Sequence, residues 1–241
     1  LEWAVAPDHS VAGAIPPWRL AWLIALKDLR IEARSRVVVY QVLPFAVIVM
    51  VMFGFALDDD GIAQRVAPGL IWLATLFSLL VVVQRSFAVE AADGALDALR
   101  VAGVDAVSIF LGKALAMAAQ LVVLELVLFV TAVVLYGPRV RPGGLALLVV
   151  TWVLATIGLA LVGTLYGGLT AGFTGRETLL PLLVLPVVAP VLIGATRAVE
   201  SALGTTGAAV SEGWPWIGLL TVFAGAFGVG GSLAFGPLID E

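Results

Sequence analysis

The amino-acid sequence predicts an all-α membrane protein whose helices cross the bilayer six times. Of its 241 residues, 61 % are hydrophobic and only 12 % are charged, whereas a soluble domain carries about 25 % charged residues. A single globular core of this length cannot enclose so much apolar surface, so part of the solvent must be lipid. Several segments approach the roughly 20 apolar residues that a spanning helix needs, which makes the protein polytopic.

The chain opens with a tail, residues 1–15, which is not predicted to be a signal peptide because it has no basic start and no continuous apolar stretch. Residues 16–36 predict an amphipathic helix that lies in the membrane interface and leads into the first span. Its apolar face recurs at the spacing of an α-helix and consists of Trp18, Trp22, Leu26 and Leu29. The second half of this helix is rich in charged residues.

The six predicted spans cover residues 37–57, 68–83, 109–136, 145–170, 179–196 and 214–239. The acidic run 58–60 closes the first span, and Pro68 marks the start of the second. Lys113 stands near the start of the third span, where a lysine side chain can reach the interface by snorkelling. Residues 197–213 form the longest loop between the later spans.

The distribution of Lys and Arg predicts that both termini are cytoplasmic. An even number of spans places both ends on one side, and cytoplasmic segments carry the excess of basic residues. With the N-terminus inside, nine Lys or Arg residues lie on the inner side and four on the outer side. Arg139 and Arg141 lie outside, against this trend. In this orientation residues 86–100 face the cytoplasm.

The stretch "SFAVEAADGALDALR", residues 86–100, interrupts the apolar chain with a charged pattern. It predicts a short amphipathic helix between two spans. The polar face consists of Glu90, Asp93, Asp97 and Arg100, and the apolar face of Phe87, Ala91, Ala95 and Leu99. An acidic face is suited to a protein partner because anionic cytoplasmic lipid attracts Lys and Arg. A linker that rests on the headgroups is the alternative.

Three blocks of this sequence form a distinctive pattern, namely "APGLIWLATLFSLL" (67–80) followed by Arg85 and Phe87, "DGALDAL" (93–99) and "LVLPVVAP" (183–190). Together they resemble the CcmB family, the permease subunit of the bacterial heme exporter in cytochrome c maturation. Lys113 also falls where the family has a lysine. The resemblance implies that the whole chain is one ABC-type export permease domain with six transmembrane helices, in the bacterial cytoplasmic (inner) membrane. Residues 86–100 would be the coupling helix that docks into an ATPase subunit.

Within the coupling helix the resemblance assigns contact with the ATPase to a short set of residues. The predicted ATPase-coupling residues are Glu90, Asp93, Gly94, Leu96, Asp97 and Leu99. The last four match the family segment directly, and Asp97 stands where the family usually has Glu. Gly94 interrupts the helix pattern at a cost of about 1 kcal/mol, which predicts a bend or a close backbone approach.

The chain itself is predicted to be a non-catalytic transporter subunit that binds no cofactor. It contains no GxxxxGK[ST] sequence, so ATP is expected on the partner ATPase. Cysteine-based metal sites are excluded because the chain has no cysteine, and its one histidine, His9, lies in the tail. Heme takes His, Met or Cys as axial ligands, and the spans offer only methionine. Heme is therefore expected on a separate heme-handling membrane subunit of the maturation complex.

The other implied partners are a second permease copy or a related membrane subunit, and membrane lipid. Nucleic acid is not an expected partner, because the chain has no basic cluster beyond residue 36.

Two other functions fit parts of the pattern. A general ABC-type export permease for a lipid, a glycan or a drug would share the coupling helix, although the "APGLIW" and "LVLPxxxP" blocks argue against it. A membrane enzyme or secondary transporter would predict clustered intramembrane polar residues or inverted repeats.

Two features within the spans have open interpretations. Glu125 is a candidate intramembrane polar site, because a carboxylate in mid-span costs on the order of 3 kcal/mol unless it is protonated or paired. It either lines a substrate path or a seam between two permease copies, or it hydrogen-bonds to a neighbouring helix as part of the packing. Pro181, Pro186 and Pro190 are candidate kinks in the fifth span, which is either a mobile gating helix or a statically bent one.

Glycines on two spans predict close contacts between helices. On the fourth span, Gly163 and Gly167 follow the pattern G-x-x-x-G. The sixth span carries a run of four that consists of Gly225, Gly228, Gly230 and Gly231.

Overall fold

A computed structural model describes residues 16–57, 60–93, 98–99, 101–137, 140–171 and 176–240. These residues form seven α-helices and no strand, which confirms the predicted all-α fold class. The helices are α1 (Pro17–Ser35), α2 (Leu43–Ala56), α3 (Asp60–Asp93), α4 (Ala106–Tyr136), α5 (Gly144–Ala171), α6 (Arg176–Leu203) and α7 (Trp214–Asp240). A π-helical turn (Val38–Val42) precedes α2, and a 3-10 turn (Val210–Gly213) precedes α7.

Six stretches are long and apolar enough to cross a membrane, which confirms the predicted number of spans. They are Val38–Ala56, Gly61–Ala88, Ala106–Tyr136, Gly144–Ala171, Thr178–Leu203 and Val210–Pro237. The core lies between α3, α4, α5 and α6, and the stretches in α3 and α5 are the most deeply buried. Helix α2 packs on α3 and α4, whereas α7 packs mainly on α5 and α6. Tyr136 donates a hydrogen bond of 2.6 Å to the carbonyl of Met50, which joins α4 to α2.

Two predicted span boundaries are wrong because helices continue into polar sequence. Helix α3 begins at Asp60 rather than near Pro68, which lies inside the helix. Helix α6 extends to Leu203 rather than ending at residue 196, and Arg197 pairs with Glu200 across one turn at 3.0 Å. Hydropathy indicates which part of a helix can lie in lipid. A helix whose polar side chains pair with one another can extend past the end of the apolar stretch.

Helix α1 forms where the sequence predicts it, but it packs with a different face. Its buried residues are Ala21, Ile24, Ala25 and Asp28. Trp18 and Trp22 are 68 % and 54 % exposed, so the predicted aromatic face remains available to lipid. The packed face follows α4 in the same direction, since Ser108 lies 3.0 Å from the carbonyl of Pro17 and Asp28 faces Lys113 further along.

Close approach of α1 to α4 depends on a glycine. A Cβ atom on Gly112 would lie 2.7 Å from both the carbonyl oxygen of Ala21 and the Cβ of Ile24. Any side chain there would have to displace the backbone of α1, because one of these atoms belongs to it. Gly112 therefore sets how near α1 can lie to the bundle.

The predicted glycine contacts of α5 are present, and those of α7 are present in part. Gly163 and Gly167 pack against Val83, and Gly167 also contacts the ring of Phe87. On α7, Gly231 packs against a phenylalanine ring and Gly228 approaches Leu161. Among the described residues, no atom of another helix lies within 4 Å of the position that a Cβ would take on Gly225 or on Gly230. One tight seam thus lies between α5 and the end of α3.

Gly167→Ala should destabilise this seam by about 1–3 kcal/mol, the usual cost of overpacking. The new methyl group would lie 2.7 Å from Cγ1 of Val83 and would collide with the Phe87 ring. The midpoint of thermal unfolding of the purified chain in detergent measures the effect. Gly225→Ala is the matched control, and it should leave the midpoint unchanged or raise it, because alanine favours a helix more than glycine does. Equal midpoints for Gly167→Ala and the wild type would contradict the predicted contact.

Candidate functional site

The coupling segment, residues 86–100, begins as the last two turns of α3. Because α3 runs without a break to Asp93, the first half of the segment continues the helix of the second span, Gly61–Ala88, rather than forming a separate helix. Glu90 and Asp93 lie three residues apart in this helix and therefore share a face. Gly94, Leu96 and Asp97 lie outside the described residues. Contact of these residues with an ATPase stays a prediction.

The far end of the coupling segment is attached to the start of α4. Leu99 is half-buried and packs on an apolar cluster that includes Ile109 and Phe110. The amide of Val104 donates to the carbonyl of Leu99 at 3.1 Å, which closes the turn. Asp105 then caps α4 by accepting a 2.9 Å hydrogen bond from the amide of Ser108.

Two ion pairs made by α1 lie beside the near end of the segment, one with α3 and one with α4. Nε of Arg85 lies 3.1 Å from Oε2 of Glu32, and Nζ of Lys113 lies 3.4 Å from Oδ2 of Asp28. We call these four residues the ion-pair cluster. The ammonium of Lys113 also lies 4.6 Å from the ring centre of Phe87, a cation–π contact. The cluster thus surrounds the point where α3 becomes the coupling segment.

Lys113 does not snorkel to the interface, so that expectation from the sequence is wrong. Its side chain is 1 % exposed, and the side chain of Asp28 is 8 % exposed. An isolated buried ammonium would be unstable, and a buried carboxylate offsets its desolvation. The acid that α1 supplies therefore keeps Lys113 inside the bundle.

Glu32 connects the coupling segment to the joint between α1 and α2. Its second oxygen, Oε1, accepts a 3.1 Å hydrogen bond from the amide of Val38, the first residue of the π-helical turn. Arg36, between α1 and this turn, has a φ of 54°, which is left-handed backbone. A non-glycine residue in that region is uncommon, and π-helical turns are frequent at functional sites. A displacement of Arg85 would thus act directly on the joint that precedes α2.

The sequence holds a signal for this cluster that hydropathy does not capture. Asp28 and Glu32 continue the 3.6-residue period of Ala21, Ile24 and Ala25, so the two acids fall on the buried face of a helix. A pair of acids in register with small apolar residues indicates an inward-facing polar contact. The aromatic residues of α1 form a neighbouring face, and their spacing was the more obvious apolar pattern in the sequence.

Glu125 lies in the core between α4 and α5. It is 2 % exposed, and its Oε2 accepts from the indole Nε1 of Trp152 and lies 2.6 Å from Oγ1 of Thr156. Its other oxygen, Oε1, is buried and has no hydrogen-bond partner among the described residues. A cavity of about 30 Å³ adjoins the site and is lined by Ile71, Trp72, Glu125, Phe129, Leu148, Trp152 and Val199.

The hydrogen-bond geometry around Glu125 fits a protonated carboxyl group. Oγ1 of Thr156 also lies 2.8 Å from the carbonyl of Trp152, and a hydroxyl has only one proton to donate. If Thr156 donates to that carbonyl, its oxygen accepts a proton from Oε2 of Glu125. A neutral Glu125 then satisfies every bond at Oε2, which favours packing between helices over a charged site.

Comparison with known protein families identifies this chain. The family model described as CcmB protein matches residues 19–231. The chain belongs to the CcmB family. The match begins at Arg19 and includes most of α1, the coupling segment and the ion-pair cluster. The residues that contact the two ends of the segment therefore lie within the matched region.

Curated relatives of the CcmB chain carry the name heme exporter protein B. The protein from Rhodobacter capsulatus is 36 % identical over 171 residues, which are 69 % of this chain and 76 % of the relative. The protein from Paracoccus denitrificans is 33 % identical over 180 residues, or 73 % of this chain and 81 % of the relative. The protein from Escherichia coli K12 is 31 % identical over 182 residues, or 75 % and 82 %.

The three prolines of this CcmB chain lie within one continuous helix. Pro181, Pro186 and Pro190 are inside α6, where each removes a backbone donor. Pro186 and Pro190 are exposed, on the side opposite the buried Val184 and Val188. Pro186 and Pro190 therefore lie on the exposed side of α6, away from the core, whereas Pro181 is half-buried. Whether they produce mobile or static kinks stays a prediction.

Glu125→Gln should lower the stability of the CcmB chain by only about 1 kcal/mol, the net worth of a typical hydrogen bond. The amide oxygen can still accept from the indole of Trp152, the Thr156 hydroxyl keeps its bond to the carbonyl of Trp152, and the amide nitrogen meets the small cavity. Glu125→Leu should cost more, about 1–3 kcal/mol, because it leaves the buried indole N–H without an acceptor. Thermal unfolding in detergent compares the two variants. Full stability but complete loss of transport in Glu125→Gln would instead assign a function to the charge.

Proposed function

We propose that this chain is the permease subunit of an ABC transporter that exports heme for cytochrome c maturation. The observation that carries the proposal is the CcmB match across residues 19–231. Six helical stretches that can cross a membrane and relatives named heme exporter protein B support it. No feature of the described residues favours the general exporter or the secondary transporter over this function.

ATP hydrolysis takes place on a separate ATPase subunit that binds the coupling segment. This chain is then a non-catalytic part of the transporter. Closure of the ATPase pushes on residues 86–100, and the ion-pair cluster transmits the displacement to α1. Glu32 passes it to the amide of Val38 and so to α2. Because both ends of the segment are attached to α1 or α4, the push moves helices rather than a loose loop.

Heme is handled by a partner subunit, and this chain supplies no axial ligand. The transporter contains either two copies of this chain or this chain and a related membrane subunit, with two ATPase subunits. It resides in the bacterial cytoplasmic (inner) membrane with both termini in the cytoplasm, as the Lys and Arg distribution predicts. In that orientation the ion-pair cluster lies at the cytoplasmic ends of α3 and α4.

Purification of the tagged chain from its native membrane tests the proposed function. Mass spectrometry should recover an ABC ATPase together with subunits of the cytochrome c maturation machinery. An ATPase without those subunits would retain the coupling role and overturn the heme pathway. Absence of any ATPase, under conditions that preserve other membrane complexes, would overturn both parts of the proposal.

A further inference from the structure

Helix α1 separates its charges into an inward acidic set and an outward basic set. Its two acids, Asp28 and Glu32, face α4 and α3, where they pair with Lys113 and Arg85. Arg30 and Arg34 are exposed. Lys27, which pairs with Asp28 at 3.1 Å, is 35 % exposed. Since the acids are used inside the protein, the outer surface of α1 carries an excess of positive charge.

The basic residues occupy one face of α1. At about 100° per residue, Arg19, Lys27, Arg30 and Arg34 fall within an arc of about 80°. The centre of this arc lies roughly 150° from the centre of the buried face formed by Ala21, Ile24, Ala25 and Asp28. The positive face therefore points away from the helix bundle. The exposed rings of Trp18 and Trp22 flank it.

A surface groove lies on this basic face. It has a volume of about 300 Å³ and is lined by Leu23, Leu26, Lys27, Arg30, Ile31 and Arg34. Three long basic side chains thus stand beside three apolar ones in one concave site. An anionic group can bind to the cations while a hydrocarbon chain follows the leucine and isoleucine side chains.

The groove lies at the edge of the membrane-crossing region. Asp28 and Glu32, which are in the same part of α1, contact Lys113 and Arg85. Arg85 is close to the end of the apolar stretch Gly61–Ala88, and Lys113 is close to the start of Ala106–Tyr136. The groove is therefore level with the boundary at which phospholipid headgroups lie.

We propose that this groove binds the phosphodiester headgroup of an anionic phospholipid. Arg30 and Arg34 would contact the phosphate oxygens, since guanidinium groups bind phosphate through paired hydrogen bonds. Leu23, Leu26 and Ile31 would contact the first part of the acyl chains. A zwitterionic lipid adds a cation to its headgroup and is disfavoured by the same arginines. The bound lipid would fix α1 to the membrane surface. This proposal does not depend on which substrate the transporter carries.

The test is a titration of the purified full-length chain with dioctanoyl phosphatidylglycerol, followed by native mass spectrometry. Dioctanoyl phosphatidylcholine serves as the zwitterionic comparison. The double variant Arg30→Gln/Arg34→Gln should bind phosphatidylglycerol about 30-fold more weakly, because each basic residue near the surface contributes about a factor of five. Arg30→Lys/Arg34→Lys should retain most of the affinity, since it keeps both charges.

The matched control is Arg65→Gln/Arg197→Gln, which removes two exposed arginines that lie outside the groove. It should leave the affinity for phosphatidylglycerol unchanged. Equal binding by the wild type and Arg30→Gln/Arg34→Gln would overturn the proposal, and so would an equal loss in the control. Unchanged lipid binding with loss of ATPase binding in the groove variant would show a protein-docking surface and would also overturn it. Thermal unfolding of each variant checks that the fold is retained.

Discussion

Reversal of the three acids of the coupling segment, in the variant Glu90→Lys/Asp93→Lys/Asp97→Lys, should reduce recovery of the ATPase by at least about 100-fold. Juxtaposed like charges at an interface cost several kcal/mol, and a tenfold loss in affinity corresponds to about 1.4 kcal/mol. Glu90 and Asp93 belong to the last turns of α3, and the substitution reverses the charge of all three acids of the predicted docking surface. Co-purification of the ATPase with the tagged variant measures the effect.

The matched control reverses the charge of three acids near the other end of α3, which begins at Asp60. The variant Asp58→Lys/Asp59→Lys/Asp60→Lys makes the same change in charge, but it should leave recovery of the ATPase unchanged. Both variants should insert stably and unfold at nearly the wild-type temperature. Normal recovery of the ATPase with the coupling-segment variant would refute the docking role of residues 86–100, whatever the transported substrate.

The number of spans could be predicted from sequence because lipid imposes one strong requirement on it. Each crossing needs a long run of apolar residues, and such runs are visible without any knowledge of tertiary contacts. The ends of the helices could not be predicted in the same way. Pro68, a residue type that often ends a helix, lies inside α3, and α6 continues past the charged Arg197, which pairs with Glu200.

The contacts that hold the coupling segment against α1 and α4 could be predicted only in part. The motif that contains Arg85 and Phe87 indicated where the segment lies. Their contacts with Glu32 and Lys113 depend on which face of α1 packs, and that choice is made by the fit of Gly112 against Ala21 and Ile24. Hydrophobicity alone favoured the tryptophan face. Steric fit between two helices is a property of the pair, so neither helix reveals it separately.

Glu125 illustrates a different limit. Its cost in the membrane was evident from the sequence, but its partners were not, because Trp152 and Thr156 belong to another helix. Those two residues are four apart on α5 and so present both polar groups to one point. The same spacing occurs in many spans, and only the packing of α4 on α5 selects this pair.

Lys113→Met should lower the free energy of unfolding by about 3–5 kcal/mol, the cost of removing one partner from a buried ion pair. Asp28 would remain 8 % exposed, with the half-exposed Lys27 beside it at 3.1 Å. Methionine keeps much of the volume of lysine, so the loss would report charge rather than a cavity. Chemical denaturation of the purified chain in detergent, monitored by tryptophan fluorescence, measures it.

A double-mutant cycle shows whether this ion pair attaches α1 to α4. Asp28→Asn/Lys113→Met should be more stable than the sum of the single effects predicts, by about 1–3 kcal/mol. The comparison cycle uses Arg197→Met and Glu200→Gln, a pair in which Arg197 is 57 % exposed. Its coupling should not exceed about 0.5 kcal/mol, as for other surface pairs within a helix. If the effects of Asp28→Asn and Lys113→Met were simply additive, α1 would be held by the Gly112 contact instead. The coupling segment would then lack the charged link through which we propose that it moves α1.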